Sequence, residues 1–255
     1  MFELVLPATP DEWLAWAVPL ATLLIGLGFF LLPKTLLGHF GMTGSVGEAR
    51  SSFAGFLVGL AVSAPMFGQP VLYQQVGIAW AFAVIGKLVH LTLDGGRSIS
   101  VITRLALAAV AAGLVFGRTD LPEIDFAALS WPSTTPQMLV AGAGAVAVAI
   151  GLLAFVVPGA LCRLLGLAAK EEAVGAVGEL RGTYAGFHLA AGLGVLAADG
   201  WATQFALAAC WLLSAFGRMI SMLTERDRLM FNWLLLIIEI GLGSAILAVF
   251  FGAVA

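Results

Sequence analysis

The sequence predicts an all-α, polytopic membrane protein with eight transmembrane helices arranged as two parallel four-helix repeats. Composition comes first: of 255 residues, 61% are hydrophobic and only 11% are charged, whereas charged residues make up about a quarter of a soluble domain. The apolar runs are also long enough to cross a hydrocarbon core, which takes about 20 helical residues. Finally, the segment Glu48-Ala49-Arg50-Ser51-Ser52-Phe53-Ala54-Gly55-Phe56 returns as Glu179-Leu180-Arg181-Gly182-Thr183-Tyr184-Ala185-Gly186-Phe187, each matched residue 131 positions on. The same offset carries Trp80 onto Trp211, Gly86 onto Gly217, Lys87 onto Arg218, Asp94 onto Glu225 and Arg97 onto Arg228. A repeat of this length marks a duplicated folding unit.

The first span, near Trp13–Leu32, is flanked by Asp11 and Glu12 and has no basic leader, so it reads as a retained helix and not a signal peptide. Pro33 ends it, as Pro158 ends the fifth span, near Gln137–Val157. The second to fourth spans lie near Arg50–Phe67, Gln75–Leu93 and Ile99–Phe116. The sixth to eighth lie near Arg181–Ala198, Trp201–Leu223 and Leu229–Phe250. No stretch alternates with the period of two that a membrane barrel needs. Between the two sets, residues 118–136 carry Asp120, Pro122, Glu123, Asp125, Pro132 and Pro136 and read as a polar linker. The repeats are then residues 1–117 and 137–255. Pairs such as Gly55 and Gly59, or Gly186 and Ala190, offer surfaces for close helix packing in lipid.

With alternating spans, Lys34, Arg50, Lys87, Arg97, Arg104, Arg163, Lys170, Arg181, Arg218, Arg226 and Arg228 share one side, leaving Arg118 on the other. The positive-inside rule makes that side the cytoplasm and both termini periplasmic, as expected of an inner-membrane protein. The acidic Glu3, Asp11, Glu12, Asp120, Glu123, Asp125 and Asp199 fall outside. Cys162 and Cys210 have neither a disulfide nor a metal-ligand spacing. No nucleophilic triad, phosphate loop, metal site, cofactor motif or nucleic-acid surface is visible.

Ionisable residues inside the spans are the candidates for function. Lys87 and Arg218 lie about two turns inside their helices, where a carboxylate partner is expected. Glu48, Arg50, Lys87 and Asp94 therefore form one expected ion-pair cluster, and Glu179, Arg181, Arg218 and Glu225 a second, each joining the second and third helices of its own repeat. Ser45-x-x-Glu48 has the form of a capping box. The second repeat alone adds a polar interior: Arg181, Tyr184 and His188 share a helix face at i, i+3, i+7, while Asn232 and Glu239, seven apart, share another. The first-repeat counterparts of His188, Asn232 and Glu239 are the apolar Leu57, Val101 and Ala108.

Arg181-Gly182-Thr183-Tyr184-Ala185-Gly186-Phe187-His188 with Gly217-Arg218-Met219-Ile220-Ser221, and Gly86-Lys87 with Asp94-Gly95 in the first repeat, resemble the signatures of a bacterial family of four-helix membrane proteins, domain of unknown function 4345. Phe53 stands where the pattern has Tyr, and Ala54 and Ala185 stand where it has glycine. The resemblance implies two tandem four-helix units and no particular reaction. The reading that follows is a non-enzymatic membrane module embedded in the bilayer that stabilises other membrane proteins or binds a lipid-like ligand. The alternatives are a small-solute or proton-coupled transporter using the polar interior, and a membrane enzyme acting on a lipid or quinone.

Overall fold

The computed structural model describes residues 7–118, 131–169, 175–198, 200–225 and 230–254. Glu3, Asp120, Pro122, Glu123, Asp125, Lys170, Asp199, Arg226 and Arg228 lie outside the described residues. Among the described residues the chain is all-α apart from one short strand pair.

Helix α1 (Pro10–Leu31) starts at a capping box in which the Thr9 hydroxyl accepts from the Glu12 backbone and the Glu12 carboxylate reaches back to Thr9. Leu32 leaves helical geometry because Pro33 disfavours the α conformation before it. Pro33 then opens α2 (Pro33–His39). The same break recurs at Val157, between α7 (Thr135–Val156) and α8 (Pro158–Leu164).

The second span is a continuous helix, Val46–Phe67, made of α3 (Val46–Glu48), a π turn (Ala49–Phe53) and α4 (Ala54–Phe67). Gly68, at φ 61°, closes it in a left-handed conformation that glycine adopts without strain. The corresponding run in the C-terminal half is α9 (Gly175–Glu179), a π turn (Leu180–Tyr184) and α10 (Ala185–Ala197). Helices α5 (Pro70–Leu93), α6 (Ile99–Phe116), α11 (Trp201–Thr224) and α12 (Met230–Phe250) complete the bundle.

Seven helices among the described residues are long and apolar enough to cross a membrane, and the protein is multi-pass. The run from α9 to α10 is not among the seven; it carries Glu179, Arg181 and His188 in its length.

The packing departs from two self-contained four-helix units. Helix α4 lies along α11, and α5 along α10, so the central helices of each half embrace those of the other. The glycines explain the choice. A Cβ at Gly55 or Gly59 of α4 would strike the backbone of Ser214 or Cys210 on α11, and one at Gly186 of α10 would strike Ala79 and Ala83 on α5. Backbone approach this close supplies the dispersion contact that holds helices together in lipid. The outer helices stay with their own half: α1 packs on α4, α7 on α10, α5 on α6 and α11 on α12.

The strand pair, unforeseen from the pattern of apolar runs, repeats the exchange. β1 (Met42–Gly44) and β2 (Leu167–Ala169) run antiparallel, with Met42 opposite Ala169 and Gly44 opposite Leu167. Each strand alone is too short to be recognised, and each satisfies its backbone only against the other half.

Candidate functional site

Both π turns place a carboxylate and a basic residue at the same end of the bundle. A π turn admits one extra residue and re-aims the side chains around it. In the N-terminal half it sits between Glu48 and Ala54, and in the C-terminal half between Glu179 and Ala185. The Glu48 backbone N–H donates to the Ser45 hydroxyl at 3.2 Å, half of the expected capping box. The other half does not form, because the Glu48 carboxylate is taken by Arg218.

Arg218, fully buried on α11, organises the larger cluster. Its Nε donates to Glu239 Oε2 at 3.0 Å, and its Nη2 to Glu239 Oε1 at 2.7 Å, to Glu48 Oε2 at 3.0 Å and to Ser51 Oγ at 2.8 Å. Nη1 reaches Asn232 Oδ1 at 3.3 Å. Ser51 Oγ donates to Glu239 Oε1 at 2.7 Å, and the Tyr184 hydroxyl to Glu48 Oε1 at 3.1 Å. A buried guanidinium needs this much, since unpaired burial of either charge is costly. Glu239 accepts three hydrogen bonds from Arg218 and Ser51, which makes it a paired carboxylate and not an isolated buried acid.

The second cluster mirrors the first. Lys87 Nζ donates to Glu179 Oε2 and to Thr183 Oγ1, both at 2.9 Å, and the Thr183 hydroxyl donates to Glu179 Oε2 at 2.8 Å. Arg104 from α6 completes it, its Nε 3.0 Å from Glu179 Oε1. The Arg104 guanidinium lies over the Phe40 ring, 5.3 Å from its centroid, and donates to the His39 carbonyl. Beside this cluster is a cavity of about 190 Å³, lined by Ile25, Phe29, His39, Phe40, Phe53, Trp80 and Leu107 together with Lys87, Arg104, Glu179 and Thr183 of the cluster.

The expectation that each ion-pair cluster joins helices of one half is corrected by these contacts. Glu48 pairs with Arg218 and Glu179 with Lys87. Arg50 pairs with Glu225 at 3.3 Å, and Arg181 with Asp94 at 3.3 Å. Every one of these bridges crosses between halves, because α4 packs on α11 and α10 on α5. Arg50 and Arg181 also cap helix ends: Arg50 Nε donates to the Phe30 carbonyl at 2.9 Å and Arg181 Nη1 to the Phe155 carbonyl at 2.6 Å. Those carbonyls lie in the last turns of α1 and α7, whose ladders the prolines interrupt.

The expected polar interior of the second repeat is likewise redistributed. Tyr184, Asn232 and Glu239 meet around Arg218 together with Glu48 and Ser51 of the other half, while Arg181 stands apart with Asp94. His188 is held between the rings of Phe56 and Tyr184, at 3.8 and 4.3 Å, with Nδ1 2.9 Å from the Tyr184 carbonyl. Its Nε2 has no hydrogen-bond partner among the described residues. A polar interior belongs to both halves, since Lys87 and Glu179 are buried as well and Arg104 is half-buried beside them.

Ser51, Thr183 and Arg104 join the site without a repeat signature, for their counterparts by offset are Gly182, Ser52 and Leu235. Arg104 did carry a signal: a cation five residues inside an apolar helix calls for a carboxylate. Outside the spans, burial pushes the Cys162 thiol above its ordinary range, so it is a poor nucleophile at neutral pH. Among the described residues no group of three or more His, Cys, Asp or Glu could hold a metal.

Residues 136–250 match the family model described as a domain of unknown function, DUF4345. That stretch spans α7 to α12 and supplies Glu179, Arg181, Tyr184, Arg218 and Glu239 to the clusters. No curated protein and no solved structure matches the chain.

Proposed function

We propose that the protein is an eight-span inner-membrane protein of duplicated origin, whose role is the non-enzymatic binding of a lipid-like ligand. The cavity beside Lys87 carries this reading: its walls are apolar and aromatic, one end is polar, and Leu107 on its rim is exposed where the helices face lipid. A pocket of this composition suits a ligand that is apolar along most of its length. The run from α9 to α10 supplies the eighth span, and the two π turns at matched positions support duplication.

The transporter alternative needs a titrating group on a path. Glu239 is held by Arg218 and Ser51, and the cavity wall includes neither Glu239 nor His188. This favours a binding module over a proton-coupled carrier.

A photoreactive long-chain alcohol tests the binding reading. Cross-links from membranes should concentrate on Phe53, Trp80 and Leu107; label spread evenly over the outward faces of α1, α6 and α12 would overturn it. Orientation is tested by reporter fusions, with a C-terminal fusion expected in the periplasm and one in the loop at Lys170 in the cytoplasm. The opposite pattern would reverse the topology.

A further inference from the structure

The cavity cluster carries an unbalanced charge. Lys87 and Arg104 contribute two cations, and Glu179 is the one carboxylate that both contact. Lys87 is 2% exposed, and its ammonium has three donors. Two are spent on Glu179 and Thr183. Arg104 Nε, although 3.0 Å from Glu179 Oε1, has no aligned hydrogen-bond acceptor among the described residues. Donor capacity and one positive charge are thus left at the polar end of an apolar cavity.

The matched place in the other cluster shows what a closed version looks like. There Leu235 replaces Arg104, and Glu239 adds a second carboxylate against Arg218. Ser51 and Asn232 occupy the remaining donors and acceptors.

Resting on the ligand-binding reading above, we propose that the cavity takes a single-chain anionic amphiphile, an ionised long-chain carboxylic acid. Its carboxylate is received by Lys87 and Arg104, and its alkyl chain leaves between α1 and α6 past Leu107. A volume of about 190 Å³ is below the range of drug-sized pockets. It accommodates a headgroup and the first carbons of one chain, with the rest of the chain in the bilayer. Lys87 lies six residues from the end of α5 and Arg104 five from the start of α6, so the headgroup sits roughly 8–9 Å inside the helix ends. Ile25, Phe29, Phe53 and Trp80 flank the chain.

The test is equilibrium binding to the full chain in nanodiscs, with labelled hexadecanoate, hexadecanol, acetate and a diacyl phosphatidylglycerol as probes. Hexadecanoate should saturate one site, and hexadecanol should bind about tenfold more weakly for want of charge-assisted hydrogen bonds. Arg104→Gln should weaken hexadecanoate about tenfold and leave hexadecanol unchanged. Lys87 still neutralises Glu179 in that variant, and its melting curve checks the fold. Leu107→Trp, at an exposed rim position, should weaken both long-chain probes; if Arg104→Gln fails to fold, this variant and the acid-to-alcohol ratio decide. Equal binding of alcohol and acid would overturn the anionic assignment while leaving an apolar-ligand site. Binding of neither would remove the binding reading itself. Acetate binding as well as hexadecanoate, or phosphatidylglycerol binding more tightly, would overturn the single-chain assignment.

Discussion

The two buried clusters share a frame and differ in charge. In each, a carboxylate just before a π turn in one half pairs with a cation two turns inside a helix of the other half: Glu48 with Arg218, Glu179 with Lys87. The difference comes from the flanking helix. α12 brings Asn232 and Glu239 to Arg218, so two carboxylates face one guanidinium; α6 brings Arg104 to Lys87, so two cations face one carboxylate. The first cluster is closed by internal hydrogen bonds, and the second opens on a cavity. Matched positions in the two halves thus fix a pairing scheme, and the differences at Arg104/Leu235 and Ala108/Glu239 decide which cluster is filled and which is left open.

The comparison breaks most sharply at Arg218. Arg218→Met strands Glu48 and Glu239 in the interior, and unfolding in mixed micelles should show a loss of about 3–5 kcal/mol. Adding Glu239→Gln should return part of it, with a coupling of about 0.5–3 kcal/mol; strict additivity would mean the two groups act independently. Lys87→Met should cost less, about 1–3 kcal/mol, because Arg104 remains against Glu179. A loss equal to that of Arg218→Met would show that Arg104 does not neutralise the carboxylate.

Glu239→Leu should cost about 1–2 kcal/mol, since Arg218 keeps Glu48, Ser51 and Asn232 while losing its two hydrogen bonds to Glu239. A loss matching Arg218→Met would make Glu239, and not Glu48, the essential counter-charge. The smallest effect concerns the two tryptophans. Trp80 Nε1 donates to Thr22 Oγ1 at 2.9 Å, whereas Trp211 Nε1 has no partner among the described residues; with Pro158 aligned on Pro33, Ala147 stands where Thr22 does. Thr22→Ala should therefore lower stability by about 1 kcal/mol. An unchanged melting curve would show that Trp80 needs its partner no more than Trp211 does.

Much of the architecture was legible along the chain. Pro33 and Pro158 end helices because the residue before a proline resists the α conformation, and that is a local rule. The placement of Glu48, Arg50, Lys87, Asp94, Glu179, Arg181, Arg218 and Glu225 at one end of the bundle followed from helix periodicity and the need to pair cations in an apolar medium. His188, Tyr184 and Glu239 stood out because ionisable and polar groups are rare in such spans.

What the sequence determined by itself was the set of helices, their breaks, and the presence at matched positions of charges that must be paired. Only the tertiary structure decided who pairs with whom. Matched charges offer each carboxylate two chemically similar partners, one in its own half and one in the other, and local spacing cannot distinguish them. The choice is made where Gly55 and Gly59 let α4 approach the backbone of α11, and Gly186 lets α10 approach α5. That contact brings Glu48 to Arg218 and Glu179 to Lys87, a three-dimensional fit of small residues that helical periodicity does not encode.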